Sequence, residues 1–284
     1  AVIRKLGLTY EQLRQWNERL VCVALTGYGL SGPYADRPAY DYVIQALAGV
    51  MALTGDPDGP PTKAGYSLVD NSAGIMGAVG ALAGIVKGQG GQVDISLYDV
   101  MLSQLNYLAA AYLNAGERAQ RYRSGAHPYI VPAQIFATSD GYLALFISHD
   151  GFWRRFAEEV KRPQWIDDRR FATMDARHAN RERVIAEVED LLRTDRTTHW
   201  VQRLSRLGIV VAGIETLEEA LESDLTRARG MIDIIHTPDG TFRFVGNPIK
   251  WDGYDSPHRP APLLGEHSDE ILANAAANPQ IRDR

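Results

Sequence analysis

The chain has 284 residues, 45% of them hydrophobic and 9% aromatic, which is enough for one large domain or two ordinary ones. Its formal net charge of -5 excludes the basic character that nucleic-acid-binding proteins normally carry, so we expect no nucleic acid as a partner. Cys22 is the single cysteine, which excludes a disulfide framework and fits a reducing cytoplasm. The seven histidines form no HExxH or similar pair, so we expect no metal site.

Membrane insertion is not expected either. The longest unbroken run of apolar residues and glycines, Gly74–Val86, is too short to span a bilayer, and no basic leader precedes it. We therefore expect a cytoplasmic protein. The sequence opens at Ala1 with AVIRKLGL, which reads like the interior of a longer protein.

The first predicted elements are a short helix and a strand. Thr9, with Gln12 three residues later, has the pattern of a capping box at a helix start. Leu20–Thr26 is a continuous apolar run with β-branched residues, which is typical of a strand buried on both faces of a parallel sheet. Gly27–Ala39 is rich in glycine, proline and polar residues and predicts a loop at the carboxyl end of that strand. Such loops build binding sites in parallel sheets.

A helix is predicted over Tyr40–Leu53, and a second helix follows Asp70. Asp70, Asn71 and Ser72 are residue types that cap a helix, because their side-chain oxygens accept unpaired backbone N–H groups. This placement puts the Asp70 carboxylate at the positive end of a helix dipole, in a site expected to exclude water. On the residues alone, the favoured interpretation of Asp70 is a helix cap and nothing more.

The helix after Asp70 carries an unusual set of glycines. They recur every three or four residues, at Gly74, Gly77, Gly80 and Gly84. This spacing places them on one helix face, and a face without side chains lets another backbone approach closely. Because each glycine costs helix stability, the pattern predicts a tightly packed, buried helix.

The remaining elements alternate between helices and strands. We expect a strand at Val93–Ile95, a long amphipathic helix at Leu97–Ala115 and a domain boundary within the connection from Gly116 to Val131. Further predicted strands are Tyr142–Ile147, Ile209–Ile214, Ile232–His236 and Phe242–Val245, the last two joined by a turn at Pro238–Gly240, and further predicted helices are Phe152–Val160, Arg181–Leu192, Thr198–Leu207 and Ser268–Ala277. The predicted class is α/β with a smaller α+β domain. The predicted segments are residues 1–120, 121–240 and 241–284.

Several stretches of the chain resemble the family III CoA-transferases, also called the carnitine dehydratase and bile-acid-inducible type. Besides the segment around Asp70, they are TGYGLSGPYADRPAYDYVIQALAGVMALTG at 26–55, GGQVDISLYDVML at 90–102, RFAT and RHANRE within 170–182, GNPIK at 246–250 and APLLGEH at 261–267. The resemblance implies a Rossmann-like large domain with a smaller α+β domain, in chains that form an interlocked homodimer.

The same resemblance implies an enzyme that moves CoA from an acyl-CoA to a free carboxylic acid. Coenzyme A is then a substrate, and no tightly bound cofactor is expected. The family's nucleophilic aspartate matches Asp70, which would form an acyl-aspartyl anhydride and then an aspartyl-CoA thioester. Backbone N–H groups at the start of the following helix are expected to stabilise the oxyanions.

Other site residues follow from the same match. Tyr40 matches an active-site tyrosine of transferases such as formyl-CoA transferase, where the related α-methylacyl-CoA racemases have a histidine. Gly27 and Gly29 are candidate substrate-binding residues, and Lys5 is a candidate CoA contact or else a solvated charge. Family members begin with a further N-terminal part that carries most CoA contacts. The activity of this chain alone therefore stays open.

Two departures from the family pattern bear on the substrate. Pro38 stands where some relatives have a lysine, and Ala126–Gln134 lacks the glycine-rich loop of formyl-CoA transferase. Both disfavour formyl and oxalyl substrates. Two alternative functions are an acyl-CoA racemase or epimerase, which Tyr40 weakens, and a non-catalytic partner subunit of a split transferase, in which Asp70 only caps a helix.

Overall fold

The computed structural model describes residues 2–237, 239–253 and 259–277. The helices are α1 Val2–Lys5, α2 Tyr10–Leu13, α3 Asp41–Leu47, α4 Val50–Leu53, α5 Leu68–Lys87, α6 Leu97–Gln104, α7 Asn106–Ala115, α8 Asp150–Glu159, α9 Gln164–Asp167, α10 Met174–Ala179, α11 Arg181–Leu192, α12 Thr197–Arg206, α13 Leu217–Glu222, α14 Asp224–Ala228 and α15 Ser268–Ala277. The strands are β1 Val21–Thr26, β2 Gly91–Ser96, β3 Ala133–Ala137, β4 Tyr142–Phe146, β5 Val210–Gly213, β6 Ile232–Thr237 and β7 Gly240–Val245. The chain divides into two compact units, residues 1–213 and 214–284. The three segments predicted from the sequence stay a prediction.

The first strands of the 1–213 unit form a parallel pair. Strands β1 and β2 run side by side, with Val21 opposite Gly91 and Thr26 opposite Ser96. Helix α5 connects the flanking segments and packs on both strands, as a crossover helix does in a βαβ unit. The predicted α/β class and the parallel pairing are therefore confirmed.

The glycines of α5 bring the helix close to these strands. A Cβ placed at Gly80 would lie 2.9 Å from Val93 Cγ1, and one at Gly84 would lie 2.6 Å from Val21 Cγ1. Both distances are shorter than carbon atoms tolerate, so a side chain at either position would push the helix off the sheet. The predicted close approach is confirmed there. It is wrong for Gly74, where no atom lies within 4 Å of such a Cβ.

The opposite face of α5 is exposed, so the prediction of a buried helix is wrong for the structure as described. Ile75, Leu82 and Val86 are all exposed, Val86 to 87%. Strand β1 is likewise only half-buried, because β2 is its one partner strand in the described ranges. By length and composition alone, α5 could cross a membrane, with 20 residues and a mean hydropathy of 1.4. Its glycines nevertheless pack on β1 and β2, which is the position of a helix covering a sheet.

Two helices predicted as continuous are interrupted. The predicted helix Leu97–Ala115 consists of α6 and α7, with Leu105 between them, and Asn106 at the start of α7 has a φ of 49°, in the left-handed region. The predicted helix from Tyr40 to Leu53 consists of α3 and α4, separated at Gly49 with a φ of 84°. Each interruption turns the chain and shortens the preceding helix.

The second half of the 1–213 unit is an antiparallel sheet covered by helices. Strand β4 lies between β3 and β5. Its buried face packs against an aromatic cluster in which Trp153 stacks on Trp165, with ring centroids 5.5 Å apart, beside Phe156 and Phe171. Strand β3 was not among the predicted strands.

A buried arginine ties this half together. Arg177 is 0% exposed and its Nε donates to the Val131 carbonyl at 2.9 Å, while Nη1 donates to the Phe171 carbonyl at 2.8 Å. Its Nη2 pairs with Asp150 Oδ1 at 2.8 Å. Burial lowers the pKa of Arg177, and the Asp150 carboxylate opposes that shift. All three nitrogens of the guanidinium therefore have partners.

The 214–284 unit contains an antiparallel hairpin. Strands β6 and β7 pair with Ile232 opposite Val245. Of the turn predicted at Pro238–Gly240, Pro238 lies outside the described residues. Helix α15 has the predicted bounds, Ser268–Ala277.

Candidate active site

Helix α5 begins at Leu68, two residues before Asp70. Its N-cap is Ser67, whose side chain makes no capping hydrogen bond, and Asp70 is the third residue of the helix. The prediction that Asp70, Asn71 and Ser72 cap the helix is therefore wrong. Asp70 still lies in the first turn, where the helix dipole favours a negative charge.

The helix start is capped instead by a residue from α3. Asp41 Oδ2 accepts hydrogen bonds from the backbone N–H of Val69 at 2.8 Å and of Asp70 at 3.4 Å. The next N–H, that of Asn71, donates to the Ser67 carbonyl at 3.1 Å. These N–H groups are consequently engaged within the protein. The expectation that they stabilise oxyanions of the reaction is wrong for this conformation.

Asp41 is in turn held by Gln45, one helical turn further along α3. Gln45 Nε2 donates to Asp41 Oδ1 at 2.7 Å, and the backbone N–H of Ala64 donates to Gln45 Oε1 at 3.0 Å. Asp41 is 7% exposed and Gln45 is 0% exposed. Neither residue was predicted from the sequence. Their spacing of four residues on one helix face was the available signal, but it did not reveal the partner helix.

The side chain of Asp70 is free to react. It is exposed, and in the described chain its carboxylate has no hydrogen-bond or ion-pair partner. The predicted exclusion of water around it is thus wrong for the structure as described. Tyr40 is the N-cap residue of α3, is 77% exposed and directly precedes Asp41. Asp41 therefore links the start of α3, which carries Tyr40, to the start of α5, which carries Asp70.

The loop after β1 reaches the same end of the sheet. A Cβ at Gly27 would collide with Ala39 Cβ, so this glycine lets the end of the loop return to the strand, directly before Tyr40. Gly29 has a φ of 92°, which glycine adopts without strain, and its N–H donates to Thr26 Oγ1 at 2.8 Å. Gly27 thus lies beside the residue before Tyr40, and the residue after Tyr40, Asp41, is bonded to the backbone of Asp70.

The remaining predicted contact is placed differently. Lys5 is exposed at the end of α1, and its side chain makes no hydrogen bond or ion pair within the described ranges. Its role in CoA binding stays a prediction. In the part of the chain that the structure describes, no three His, Cys, Asp or Glu side chains gather in a way that could hold a metal ion.

This arrangement can perform nucleophilic chemistry. An exposed, unpaired carboxylate can attack a carbonyl carbon, and a neighbouring phenol can donate a hydrogen bond to the carbonyl oxygen. The carboxylate is held in the first turn of a helix whose backbone is secured by Asp41.

Comparisons with known proteins show which sequences and structures this chain is similar to. The model of the family described as CoA-transferase family III matches residues 1–268. The succinate–glutarate CoA-transferase of Agrobacterium fabrum is 35% identical over 95% of this chain and 69% of that protein. The acetyl-CoA:oxalate CoA-transferase of Acetobacter aceti is 32% identical over 97% of this chain and 72% of that protein. A crystal structure of a CAIB/BAIF family protein from Brucella suis is similar with a TM-score of 0.80 and 31% identity, covering 96% of this chain and 72% of that one.

Proposed function

We propose that this chain, which belongs to CoA-transferase family III, moves coenzyme A from an acyl-CoA to a free carboxylic acid through covalent intermediates on Asp70. The family and the enzyme class follow from the match over residues 1–268 and from relatives named as CoA-transferases. The covalent route and the residues that carry it are our proposal.

The exposed, unpaired carboxylate of Asp70 is the observation that carries the proposal. A carboxylate that served only to cap a helix would be bonded to backbone N–H groups, and here Asp41 makes those bonds. Asp70 is therefore dispensable for the helix start. Its position in the first turn favours the anionic form that a nucleophile needs.

The first half of the reaction transfers CoA to the enzyme. An Asp70 oxygen attacks the thioester carbonyl carbon of the acyl-CoA, the C–S bond breaks, and an acyl-aspartyl anhydride and the CoA thiolate result. The thiolate then attacks the aspartyl carbonyl carbon of the anhydride. The bond between this aspartyl carbon and the bridging oxygen breaks, so the donor leaves with that oxygen as a free carboxylate and Asp70 carries the CoA as a thioester.

The second half repeats these steps with the acceptor acid. The acceptor carboxylate attacks the aspartyl thioester and releases the CoA thiolate, which then attacks the acceptor's carbonyl carbon and restores free Asp70. Each attack creates a negatively charged oxygen. Since Asp41 occupies the backbone N–H groups nearby, we assign the hydrogen bond to this oxygen to the exposed hydroxyl of Tyr40.

Short-chain carboxylic acids are the proposed substrates, with dicarboxylates first. The relatives reported above are named for succinate, glutarate, acetyl-CoA and oxalate. Pro38 and the absence of a glycine-rich loop in Ala126–Gln134 disfavour formyl and oxalyl groups here. Succinate and glutarate are therefore the first acids to assay, with oxalate as the comparison.

We also propose that the parallel pair belongs to a Rossmann-like large domain in an interlocked homodimer in the cytoplasm. The exposed apolar face of α5, with Ile75, Leu82 and Val86, supports this proposal. A continuous apolar helix face in a protein that carries out its chemistry in water needs a covering surface. We assign residues 1–120, 121–240 and 241–284 to the large domain, the small domain and a C-terminal return segment.

Trapping the covalent intermediate tests the proposal. The full-length protein is incubated with succinyl-CoA and quenched with hydroxylamine or borohydride, and its peptides are analysed by mass spectrometry. We expect a hydroxamate or a reduced side chain at Asp70, since both reagents attack an activated aspartyl carbonyl. The Asp70→Asn variant, treated identically, is the control and should give no adduct.

Two results would contradict the proposal. Transfer of CoA from succinyl-CoA to glutarate without any adduct on the Asp70 peptide would exclude covalent catalysis by this residue. Incorporation of solvent deuterium at the α-carbon of a 2-methylacyl-CoA, without transfer, would indicate a racemase instead.

A further inference from the structure

The hydrogen bonds from Ala64 to Asp70 form a chain with a defined direction. The Ala64 N–H donates to Gln45 Oε1, Gln45 Nε2 donates to Asp41 Oδ1, and the N–H groups of Val69 and Asp70 donate to Asp41 Oδ2. Both ends of this chain are backbone N–H groups, which can only donate. Asp41 must therefore accept at both oxygens, and Gln45 must accept at one end of its amide and donate at the other.

Because these groups are buried, reversing a donor or an acceptor among them costs free energy. Gln45 is 0% exposed and Asp41 is 7% exposed, so water cannot replace a lost partner at most of these atoms. Ile44, which lies between them in α3, belongs with Val69 and Ala73 to one buried apolar cluster. A donor turned towards a donor, or an acceptor towards an acceptor, would stay unsatisfied inside this cluster.

This hydrogen-bonded chain connects the segment before α5 with the first turn of α5. Ala64 lies at one end of the segment that leads into the helix, and Val69 and Asp70 lie at the other. Between them Ser67, the N-cap residue, offers no side-chain cap. The side chains of Asp41 and Gln45 thus supply the capping contacts that the local sequence lacks.

We infer that Asp41 and Gln45 are positioning residues that hold the backbone of Asp70 in one conformation through this directional chain. Neither residue touches the reacting atoms in the proposed reaction. Their effect on the rate rests on the proposed function of Asp70, whereas their effect on the backbone around Ala64 to Asp70 does not.

Reversing the donors and acceptors in this hydrogen-bonded chain tests the inference. Asp41→Asn turns an amide N–H2 group towards Gln45 Nε2 or towards Val69 N–H, which opposes donor to donor. Gln45→Glu turns a carboxylate oxygen towards Asp41 Oδ1, which opposes acceptor to acceptor. The double variant Asp41→Asn/Gln45→Glu restores every pairing, since the new amide donates to the new carboxylate, which accepts from Ala64. It also keeps the total charge unchanged.

Two readouts separate positioning from folding. The first is hydrogen–deuterium exchange of the peptides covering residues 64–71, which reports the backbone directly and needs no substrate. The second is kcat for CoA transfer, calculated from the number of enzyme molecules whose Asp70 forms a trapped adduct. This normalisation counts only folded active sites. Asp99→Asn and Gln92→Glu are matched controls, because both change exposed side chains of the same unit.

We expect each single variant to exchange faster over residues 64–71 and to lose about tenfold or more in kcat, with KM changed less. The double variant should recover the protection and most of the rate, and the controls should match the wild type. Single variants with unchanged protection and kcat would overturn the inference. So would a double variant that is no better than the two singles combined.

The outcomes also distinguish this inference from the proposed function. If the wild type transfers CoA without an Asp70 adduct, the proposed function fails, while the exchange pattern of the two single variants and the double variant still decides the role of the hydrogen-bonded chain. If the double variant recovers protection but not kcat, Asp41 or Gln45 has a chemical role and the positioning inference is overturned.

Discussion

Two regions of the 1–213 unit differ in how completely they bury their apolar side chains. The three-stranded region, residues 126–213, encloses a cluster of seventeen buried hydrophobic residues in the described chain. The parallel-strand region, residues 21–115, encloses seven and leaves Leu82 and Val86 of α5 exposed. Since burial of apolar surface is the main source of stability, the three-stranded region is the more self-sufficient of the two.

The proposed chemistry lies in the less buried region. Asp70 and Tyr40 are exposed, and the elements that carry them are joined by a few buried polar bonds rather than by a large core. A site of this kind depends on particular hydrogen bonds, and a region with a large aromatic core depends on packing and on its buried arginine, Arg177. Variants in the two regions should therefore fail in different ways.

The largest expected effect is on activity in the parallel-strand region. Asp70→Asn should reduce CoA transfer by several orders of magnitude, because an amide cannot form the anhydride, while leaving the thermal midpoint nearly unchanged. Asp70→Ala should lose activity equally. Steady-state assays and thermal melts measure both properties.

An Asp70→Asn variant that keeps more than about a tenth of the wild-type rate would contradict the assignment, since a tenfold loss is only about 1.4 kcal/mol of barrier. Mass spectrometry must first show that the amide has not deamidated back to aspartate. A purely structural Asp70 predicts the opposite pattern, with full activity in both variants.

The next largest effect is on stability in the three-stranded region. Arg177→Met should lower the free energy of unfolding by about 3 kcal/mol, because it leaves the Val131 and Phe171 carbonyls without their buried donor. Asp150 is half exposed and can be hydrated when the pair is lost. Urea unfolding measures the change.

Arg170→Met is the matched control for Arg177→Met. Its ion pair with Asp168 lies at the surface, so the loss should be within about 1 kcal/mol. An Arg177 variant as stable as this control would show that the buried network adds little to this region.

Alanine substitutions at two glycines of helix α5 should change the free energy of unfolding by smaller amounts and in opposite directions. Gly84→Ala should destabilise the protein by about 1 to 3 kcal/mol, because the added methyl group collides with Val21. Gly74→Ala should stabilise it by about 0.5 to 1 kcal/mol, because its Cβ meets open space within a helix. Thermal melts of the two variants give opposite signs, and equal signs would contradict the packing of α5 on β1.

The smallest effect is the acid titration of one surface carboxylate of the three-stranded region. The Thr197 N–H and the Arg196 side chain lower the pKa of Asp140 from 3.8 to about 2. Because the folded pKa lies below the unfolded one, this stabilisation is complete above about pH 4 and is lost as pH falls towards 2. The difference in thermal midpoint between wild type and Asp140→Asn should therefore disappear over that range. A difference that persists unchanged at pH 2 would contradict the assigned pKa.

Local patterns in the sequence predicted much of the fold. Helix α11, Arg181–Leu192, and helix α15 have the predicted bounds, because the pattern of apolar residues that marks them lies within the segment itself. The capping box of Thr9 and Gln12 is also present. Each of these signals is contained in a few neighbouring residues.

The features that were missed depend on residues far apart in the sequence. Helix α5 starts at Leu68 because Asp41, 28 residues earlier than Val69, caps it, and no local residue shows this. The glycine pattern predicted a close neighbour for Gly74 as well, but a helix tilts across two strands and only part of one face can reach them. The interruption at Asn106 likewise has no proline or glycine to mark it.

The packing of Gly84 on Val21 has a consequence for how this protein can change over evolutionary time. Gly84 and Asp70 lie on one uninterrupted helix, separated by about 21 Å along its axis. A helix behaves as a stiff rod over this length, so a side chain that lifts its far end from the strands tilts the near end as well. Mutations at the far end are therefore filtered by their effect on the reacting carboxylate, although they touch no substrate. Variation in this family of sequences should be restricted at Gly80 and Gly84, where an added side chain meets the strands, and not at Gly74, where it meets open space.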